Sequence, residues 1–341
     1  MSLSRPTATI TLDGQELSSA EAGLAAVRLD LGFNAHDRAL LTLWPRSKLA
    51  SAEPGSELVI GLSTEGNGDG LLAAAASLLG GGGGGNTVWT GTVQSVQSSS
   101  GWLRLTGLAS TAQLSNTRRS ATWSEQTVAD IVRDLAGDLD SEIEADLELP
   151  NYSVDNSRTV WAYLDELAQL AGAQLSCAPE GGVRFILAAK EGAPIELRYG
   201  AELIDWRLSR NQTFAAVGAA EHAAASSAGN DKWHWLAHDP VGANADAALI
   251  PASFRTRTAA EKFTEAANAR AQRAAVRGEV WTSGNPQLRP GMLVQLKDLP
   301  EGDSGTLRIR AVTHQLDGDN GFITALAVEG SAGGGGLGGG L

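Results

Sequence analysis

The sequence predicts an α+β, β-dominated fold in which two related β-barrel domains are joined by a small α+β connector domain. Three observations carry this. Short apolar runs bounded by Gly, Pro, Asp and Asn fill both ends of the 341-residue chain, helical periodicity is confined to its middle and to one later stretch, and a block near residues 54–105 has a colinear partner near 290–326. Runs of that length between turn residues read as strands. Order-preserving matches at a distance read as duplication.

In chain order, Thr7 to Leu12, Ala25 to Leu31 and Ala39 to Trp44 are predicted strands, the last closed by Pro45. The turn Pro54-Gly55 leads into Glu57 to Leu62, and Ser63 to Asn86 forms a Gly-rich insertion before pairing resumes at Thr87. Val88 to Val96 and Trp102 to Leu108 complete an all-β unit. Residues 1–118 are therefore expected to form the first barrel, carrying the 63–86 insertion.

The period then changes. Thr122-x-x-Glu125 has capping-box form, and Val128, Ile131, Val132 and Leu135 fall on one helical face before Gly137. A second helix is predicted from about Ser157 to Ala171, with Val160, Trp161, Leu164, Leu167, Ala168 and Ala171 as its stripe and Gly172 as its stop. Gln174 to Cys177, the turn 179–182 and Val183 to Leu187 read as a hairpin. Together these make a connector over 119–194.

Strands return at Ile195 to Tyr199, Leu203 to Leu208 and Thr213 to Ala220. Residues 222–277 are expected to be an insertion, irregular at first, then helical from Thr258, with Phe263, Ala267, Ala271 and Ala274 on one face, Gly278 as the stop, and the helix packed on the connector. Residues 195–221 plus 278–330 would form the second barrel. It closes with a meander from Met292 to Leu296, Thr306 to Val312 and Phe322 to Val328. Residues 331–341, SAGGGGLGGGL, are expected to be a flexible tail.

The duplication rests on Pro54-Gly55-x-x-Leu58-Val59-Ile60 against Pro290-Gly291-Met-Leu293-Val294-Gln-Leu296. It continues with Val93-x-x-Val96 against Val312-x-x-x-Leu316, and with Trp102 to Leu105 against Phe322 to Leu326. Two unrelated β-domains with generic turns are the alternative. They differ in a testable way: Leu58 and Leu293 must occupy equivalent strands if the units are copies.

Composition excludes several classes of function. A formal net charge of −13 gives no clustered cations for stable, non-specific nucleic-acid binding. The single Cys177 rules out an intrachain disulfide framework. No apolar run approaches the ~20 residues of a membrane span, and the start has no secretory h-region. The protein is expected to be made in the cytoplasm and to reach any later location as part of an assembly.

No constellation commits to chemistry. His234 and His238 have i, i+4 spacing but lack a third donor, and Trp233, Trp235 and Pro240 argue against a helix there. The six glycines at 80–85 are not followed by Lys-Ser/Thr, so they are not a phosphate loop. There is no Gly-x-Ser-x-Gly elbow, and Cys177 falls in a predicted strand. Asp138, Asp140, Glu142, Glu144, Asp146 and Glu148 read as a solvated face. Trp44, Trp89, Trp102, Trp161 and Trp206 read as core. No catalytic, cofactor-binding or metal residue is predicted, and no cofactor.

Three segments carry a family resemblance: Val88-Trp-Thr-Gly-Thr-Val, Thr122-Trp-Ser-Glu-Gln-Thr-Val-Ala-Asp-Ile-Val and Leu164-Asp-Glu-Leu-Ala-Gln-Leu-Ala-Gly-Ala. In this order they resemble the tail hub proteins of contractile machines, namely the late control protein D family of phage tails and the N-terminal part of VgrG proteins. The resemblance covers most of residues 1–330. It implies a homotrimer whose six barrels form a ring, a non-enzymatic adaptor between a hexameric inner tube protein and a trimeric spike, contacting other baseplate proteins. It also implies a component of an assembled phage tail or injection particle. VgrG continues into an OB-fold and a β-helical spike that have no counterpart here, so the spike is expected to be a separate protein. The competing readings are a tail-associated cell-wall hydrolase, which needs paired carboxylates across a cleft, and a β-rich carbohydrate-binding or adhesive protein using surface tryptophans.

Overall fold

The computed structural model describes residues 6–64, 86–187, 192–212, 219–221, 247–249 and 257–331. The first unit holds β1 (Pro6–Leu12), β2 (Gln15–Ser18), β3 (Leu24–Gly32), β4 (Arg38–Leu43), β5 (Glu57–Thr64), β6 (Asn86–Ser98) and β7 (Leu103–Ala109). The connector follows with α1 (Gln113–Asn116), β8 (Ala121–Thr127), α2 (Val128–Ala136), β9 (Ser141–Ile143), β10 (Glu148–Val154), α3 (Val160–Ala171), β11 (Ala173–Cys177) and β12 (Val183–Leu187). The second unit begins with β13 (Ile195–Arg198) and β14 (Leu203–Arg210). After the short parallel pair β15 (Ala219–Glu221) and β16 (Ala247–Leu249) come α4 (Arg257–Arg273), β17 (Val276–Ser283), β18 (Leu293–Lys297), β19 (Thr306–Asp317) and β20 (Gly321–Gly330).

Both units belong to one sheet, in the order β14-β17-β20-β19-β3-β4-β7-β6-β5-β1-β2, with β18 attached to β19 and β13 to β18. Alternation sets its faces. In β4, Ala39, Leu41 and Leu43 are sealed while Arg38 is exposed, and in β7 Leu103, Leu105 and Ala109 repeat the pattern. The inward residues of both units form one continuous core that includes Ile10, Leu29, Ile60, Trp89, Leu105, Val280, Leu296, Ile309 and Leu326. Burying this apolar surface is the main driving force for the fold.

The connector has its own core, in which α2 and α3 pack against β8, β10 and the β11–β12 hairpin around Ile131, Leu164, Phe185 and Tyr152. Trp123 stacks on Tyr152 with centroids 5.9 Å apart, and its indole N–H donates to Asp134 at 3.0 Å. α4 lies on this connector: Ala259 and Phe263 join its core, and Arg270 donates to the Gln169 carbonyl at 3.0 Å.

Three sequence readings need correction. Thr122 and Glu125 do not cap a helix. Thr122 pairs with Ser153 within β8, Glu125 sits at φ 52°, and the N-cap is Thr127, whose side chain accepts from the Asp130 N–H at 3.1 Å. Removing that cap in Thr127→Ala should lower stability by about 1 kcal/mol in denaturant titration. Second, the α4 helix ends at Arg273, and Gly278 lies inside β17, paired with Leu208 and Val328. The run Val276-Arg-Gly-Glu-Val280-Trp-Thr282 alternates with period two, so the second unit resumes at 276. Third, Trp44 is 60 % exposed, because it lies just past the end of β4, where no described strand covers it.

Candidate functional site

The arrangement most relevant to function is the repetition of the two units. Reading outward from the β1 end, the first unit runs β1-β5-β6-β7-β4-β3, and the second runs β13-β18-β19-β20-β17-β14. The two series have the same chain order and the same spatial order. One difference is direction: β1 is antiparallel to β5, whereas β13 is parallel to β18.

Detail agrees with topology. Gly55 and Gly291 both follow proline and take φ near +100° (100° and 96°), a region L side chains avoid. The Gly55 N–H donates to the Val93 carbonyl and the Val93 N–H to the Ser56 carbonyl, at 2.8 and 2.9 Å. The Gly291 N–H donates to Ile309 and the Ile309 N–H to Met292, at the same two distances. Each long strand then carries a bulge just after that residue, between Val93 and Ser95 and between Ile309 and Ala311. β3 and β14 also carry matching bulges, between Leu24 and Ala26 and between Leu203 and Asp205. Bulges re-aim strands at defined points and rarely coincide by chance. Leu58 and Leu293 thus lie in equivalent strands, one register position apart, and Leu58 has Val294 as its counterpart.

The face of the sheet away from the core is polar and carries arginine at equivalent places in both units. Arg28 corresponds to Arg207 and Arg38 to Arg277, all exposed. Asp30 draws Arg28 to 2.9 Å and Arg38 to 3.1 Å, and accepts from the Thr313 hydroxyl at 2.9 Å, tying β3, β4 and β19 together. Arg207 lies over the Trp281 ring at 5.2 Å.

Where the connector meets the sheet, buried titratable groups collect that, Cys177 apart, the sequence does not single out. The β3–β4 turn inserts against the β11 hairpin, with the Asn34 N–H donating to the Leu175 carbonyl at 2.8 Å. Asp37 is 5 % exposed, accepts from the Gly32 N–H at 3.0 Å, and is pushed up to about 7 by burial. Cys177 contacts Thr111 Oγ1 at 2.9 Å, and burial pushes its thiol up to about 12, which disfavours the thiolate. Arg289, lowered by burial, donates to the Val88 carbonyl at 2.7 Å. A cavity of about 480 Å³ lies here, lined by Phe33, Asp37, Gln174, Cys177, Arg289 and Arg308. Its signal in the sequence is faint, since Asp37 and Arg289 read as ordinary turn residues.

The remaining candidates separate. His234, His238, Trp233 and Trp235 lie outside the described residues, as do most of the 63–86 insertion and the Gly-rich tail beyond Ser331. In the acidic run Glu142 pairs with Arg184 at 2.6 Å, Asp138, Asp140, Asp146 and Glu148 are exposed, and Glu144 is half-buried. Among the described residues no three His, Cys, Asp or Glu side chains are grouped to hold a metal. Trp89 is fully buried and Trp161 nearly so, whereas Trp102 and Trp206 are half-buried.

Comparison with known families decides the class. The model of the phage tail baseplate hub (GPD) family matches residues 64–320. The chain belongs to that family. Its role is accordingly that of a structural baseplate hub. Among solved structures, a tail protein from Neisseria meningitidis MC58 superimposes with a TM-score of 0.66 at 15 % identity, over 95 % of this chain and 96 % of that one. The 43 kDa tail protein of prophage MuSo2 from Shewanella oneidensis gives 0.66 at 15 %, over 94 % and 96 %. The E. coli c3393 protein, a component of the type VI secretion system with structural similarity to the T4 tail proteins gp27 and gp5, gives 0.56 at 10 %, over 89 % and 73 %. At these identities the likeness is one of fold. No curated protein matches the chain.

Proposed function

We propose that three copies of this hub close into a ring at the centre of a baseplate. One face of the ring continues a hexameric inner tube, and the other receives a trimeric spike. The observation that carries this is the strand-for-strand equivalence of the two units. A ring of three chains then presents six equivalent units towards the tube while keeping true threefold symmetry towards the spike. Closed point-group assembly fixes such interfaces by symmetry.

On this reading the polar face lines the channel, because the opposite face is occupied by the core, by β1, β5, β13 and β18, and by the connector. Repeated around the ring, Arg28 with Arg207 and Arg38 with Arg277 form two tiers of arginines, offset by Asp30, Asp205 and Glu279. That mixture of signs suits passage of cargo without retention. The protein acts by shape and contact, without catalysis, as one component of an assembled tail or injection particle.

The test is mass in solution followed by capture. Sedimentation should give a trimer, and the trimer should bind the tube and spike proteins of the same tail, with a threefold ring visible under the tube by electron microscopy. A stable monomer that captures neither protein would remove the proposal.

A further inference from the structure

Within one chain the two units are already joined, and the joint is specific. β19 pairs with β20 on one side, and along Ala311–Asp317 it pairs antiparallel with β3 on the other, matching Val312 with Leu31, Thr313 with Asp30 and His314 with Leu29. The joint seals Val27, Leu29, Leu31, Val312 and His314, each 2 % exposed or less. By the repeat, β14 is the counterpart of β3 and β6 the counterpart of β19. Neither counterpart has this neighbour. Among the described residues, β14 pairs along its length with β17 alone, apart from a single bridge from Leu203 to Tyr199, and β6 pairs with β5 only as far as Thr92, so no described strand lies on the corresponding side of residues 95–98. The exposure follows. Val96, Trp206 and Leu208, the counterparts of sealed Val312, Val27 and Leu29, are only partly buried. Ile204 and Tyr199 beside this edge are 52 % and 46 % exposed.

We infer that β14 of one copy pairs antiparallel with β6 of the next, in the register of the internal joint. Carrying the β19–β3 register across the repeat gives Val96 opposite Arg210, Gln97 opposite Ser209, and Ser98 opposite Leu208. The inference rests on the ring reading and adds which strands close the ring and how. The occupant is a second copy because the chain itself already contains the matching pair of edges joined in this way. The two edges differ from one another, so the contact is heterologous and propagates until it closes. Three copies of the eight-strand band from β14 to β6 make a belt about 115 Å around at ~4.8 Å per strand. Unpaired edges of this length invite pairing, and the proposed contact removes both while covering Val96, Trp206 and Leu208.

Gln97 and Ser209 take the places of Thr313 and Asp30, whose side chains touch through the 2.9 Å hydrogen bond. Cysteines there should therefore meet. In Gln97→Cys/Ser209→Cys, mild oxidation should convert the protein to covalently linked dimers and trimers on a non-reducing gel, reversed by thiol. The wild type, with only buried Cys177, and the offset pair Gln97→Cys/Leu208→Cys should stay unlinked. A wild-type trimer by sedimentation whose double variant does not link would overturn this interface and leave the ring standing, whereas a monomer at every concentration would overturn both. Linking of the offset pair in preference would overturn the register. Both substituted positions are exposed, so the fold should tolerate them. Amide exchange on the unmodified trimer gives an independent reading: residues 206–210 should be protected as well as 27–31, and fast exchange there would also overturn the inference.

Discussion

Replacing Gly91 by alanine is expected to prevent the first unit from folding, recovered as loss of soluble protein or of a cooperative denaturation transition. A β-carbon at this position would lie 2.1 Å from the Leu108 carbonyl oxygen and 2.8 Å from the Ala109 α-carbon. Both are backbone atoms of the neighbouring strand, which cannot rotate away as a side chain could. The strand end is also fixed from its far side, since the Ala109 N–H donates to the Asp37 carbonyl at 2.8 Å. The cost should exceed the ~4–5 kcal/mol that marks exceptional single substitutions. The second unit solves the same crowding in reverse. The counterpart of Gly91 is Leu307, and opposite it stands Gly330 where the first unit has Ala109. Gly55→Ala is the control. Its φ of 100° penalises a side chain by about 1–2 kcal/mol, but no atom lies within 4 Å of the added carbon. A Gly91→Ala protein as stable as Gly55→Ala would show that β6 and β7 are not packed at the distance described.

This contrast also marks where the sequence was legible. Period-two runs and Pro-Gly turns locate the strands of both units, and Pro54-Gly55 with Pro290-Gly291 identifies the repeat. The finer alignment slips: the sequence matches Val93 to Val312, whereas the structural counterpart of Val93 is Ile309, and Val96 is the partner of Val312. Each strand gains a bulge residue, at Gln94 and Arg310, and a bulge has no residue-type signature that would reveal the shift. β2 has no place among the predicted strands, although Asp13-Gly14, with φ of 48° and 81°, is a strong hairpin signal. β17 was hidden by the alanine-rich helix running up to it. The groups at the connector junction lie beyond sequence reasoning for another reason. Whether Asp37, Arg289 and His314 are solvated depends on which distant elements cover them, and no local pattern records that.

Those buried groups give the second large effect, which is a pair of opposite pH responses. Asp37 titrates at about 7 when folded against an ordinary 3.8, because burial disfavours its charge more than the Gly32 N–H and Arg289 favour it. Between those values the folded protein holds the proton more tightly than the unfolded chain. Asp37 therefore destabilises progressively as pH rises from ~4 to ~7, by up to ~4 kcal/mol. His314 is sealed beneath the β19–β3 joint with Nδ1 3.0 Å from Thr324 Oγ1, and burial, reinforced by Arg289, lowers it from 6.5 to about 3. Its folded form refuses a proton that the unfolded chain accepts, so it destabilises as pH falls from ~6.5 towards ~3. Across pH 4–6.5 the two slopes have opposite sign, each at most ~1.4 kcal/mol per unit, and they largely cancel in the wild type. Removing one should expose the other. Asp37→Asn, which keeps an acceptor for Gly32, should be more stable than wild type at pH 7 and lose stability on acidification to pH 4.5. His314→Gln should lose packing but gain stability over the same acidification. The carboxylates held low by surface partners, such as Asp130, Asp155 and Asp317, respond only below this window. Denaturation midpoints at pH 4.5, 5.5 and 6.5 decide the matter. Two variants that both track the wild-type curve would mean that water reaches both groups and that the junction is not sealed.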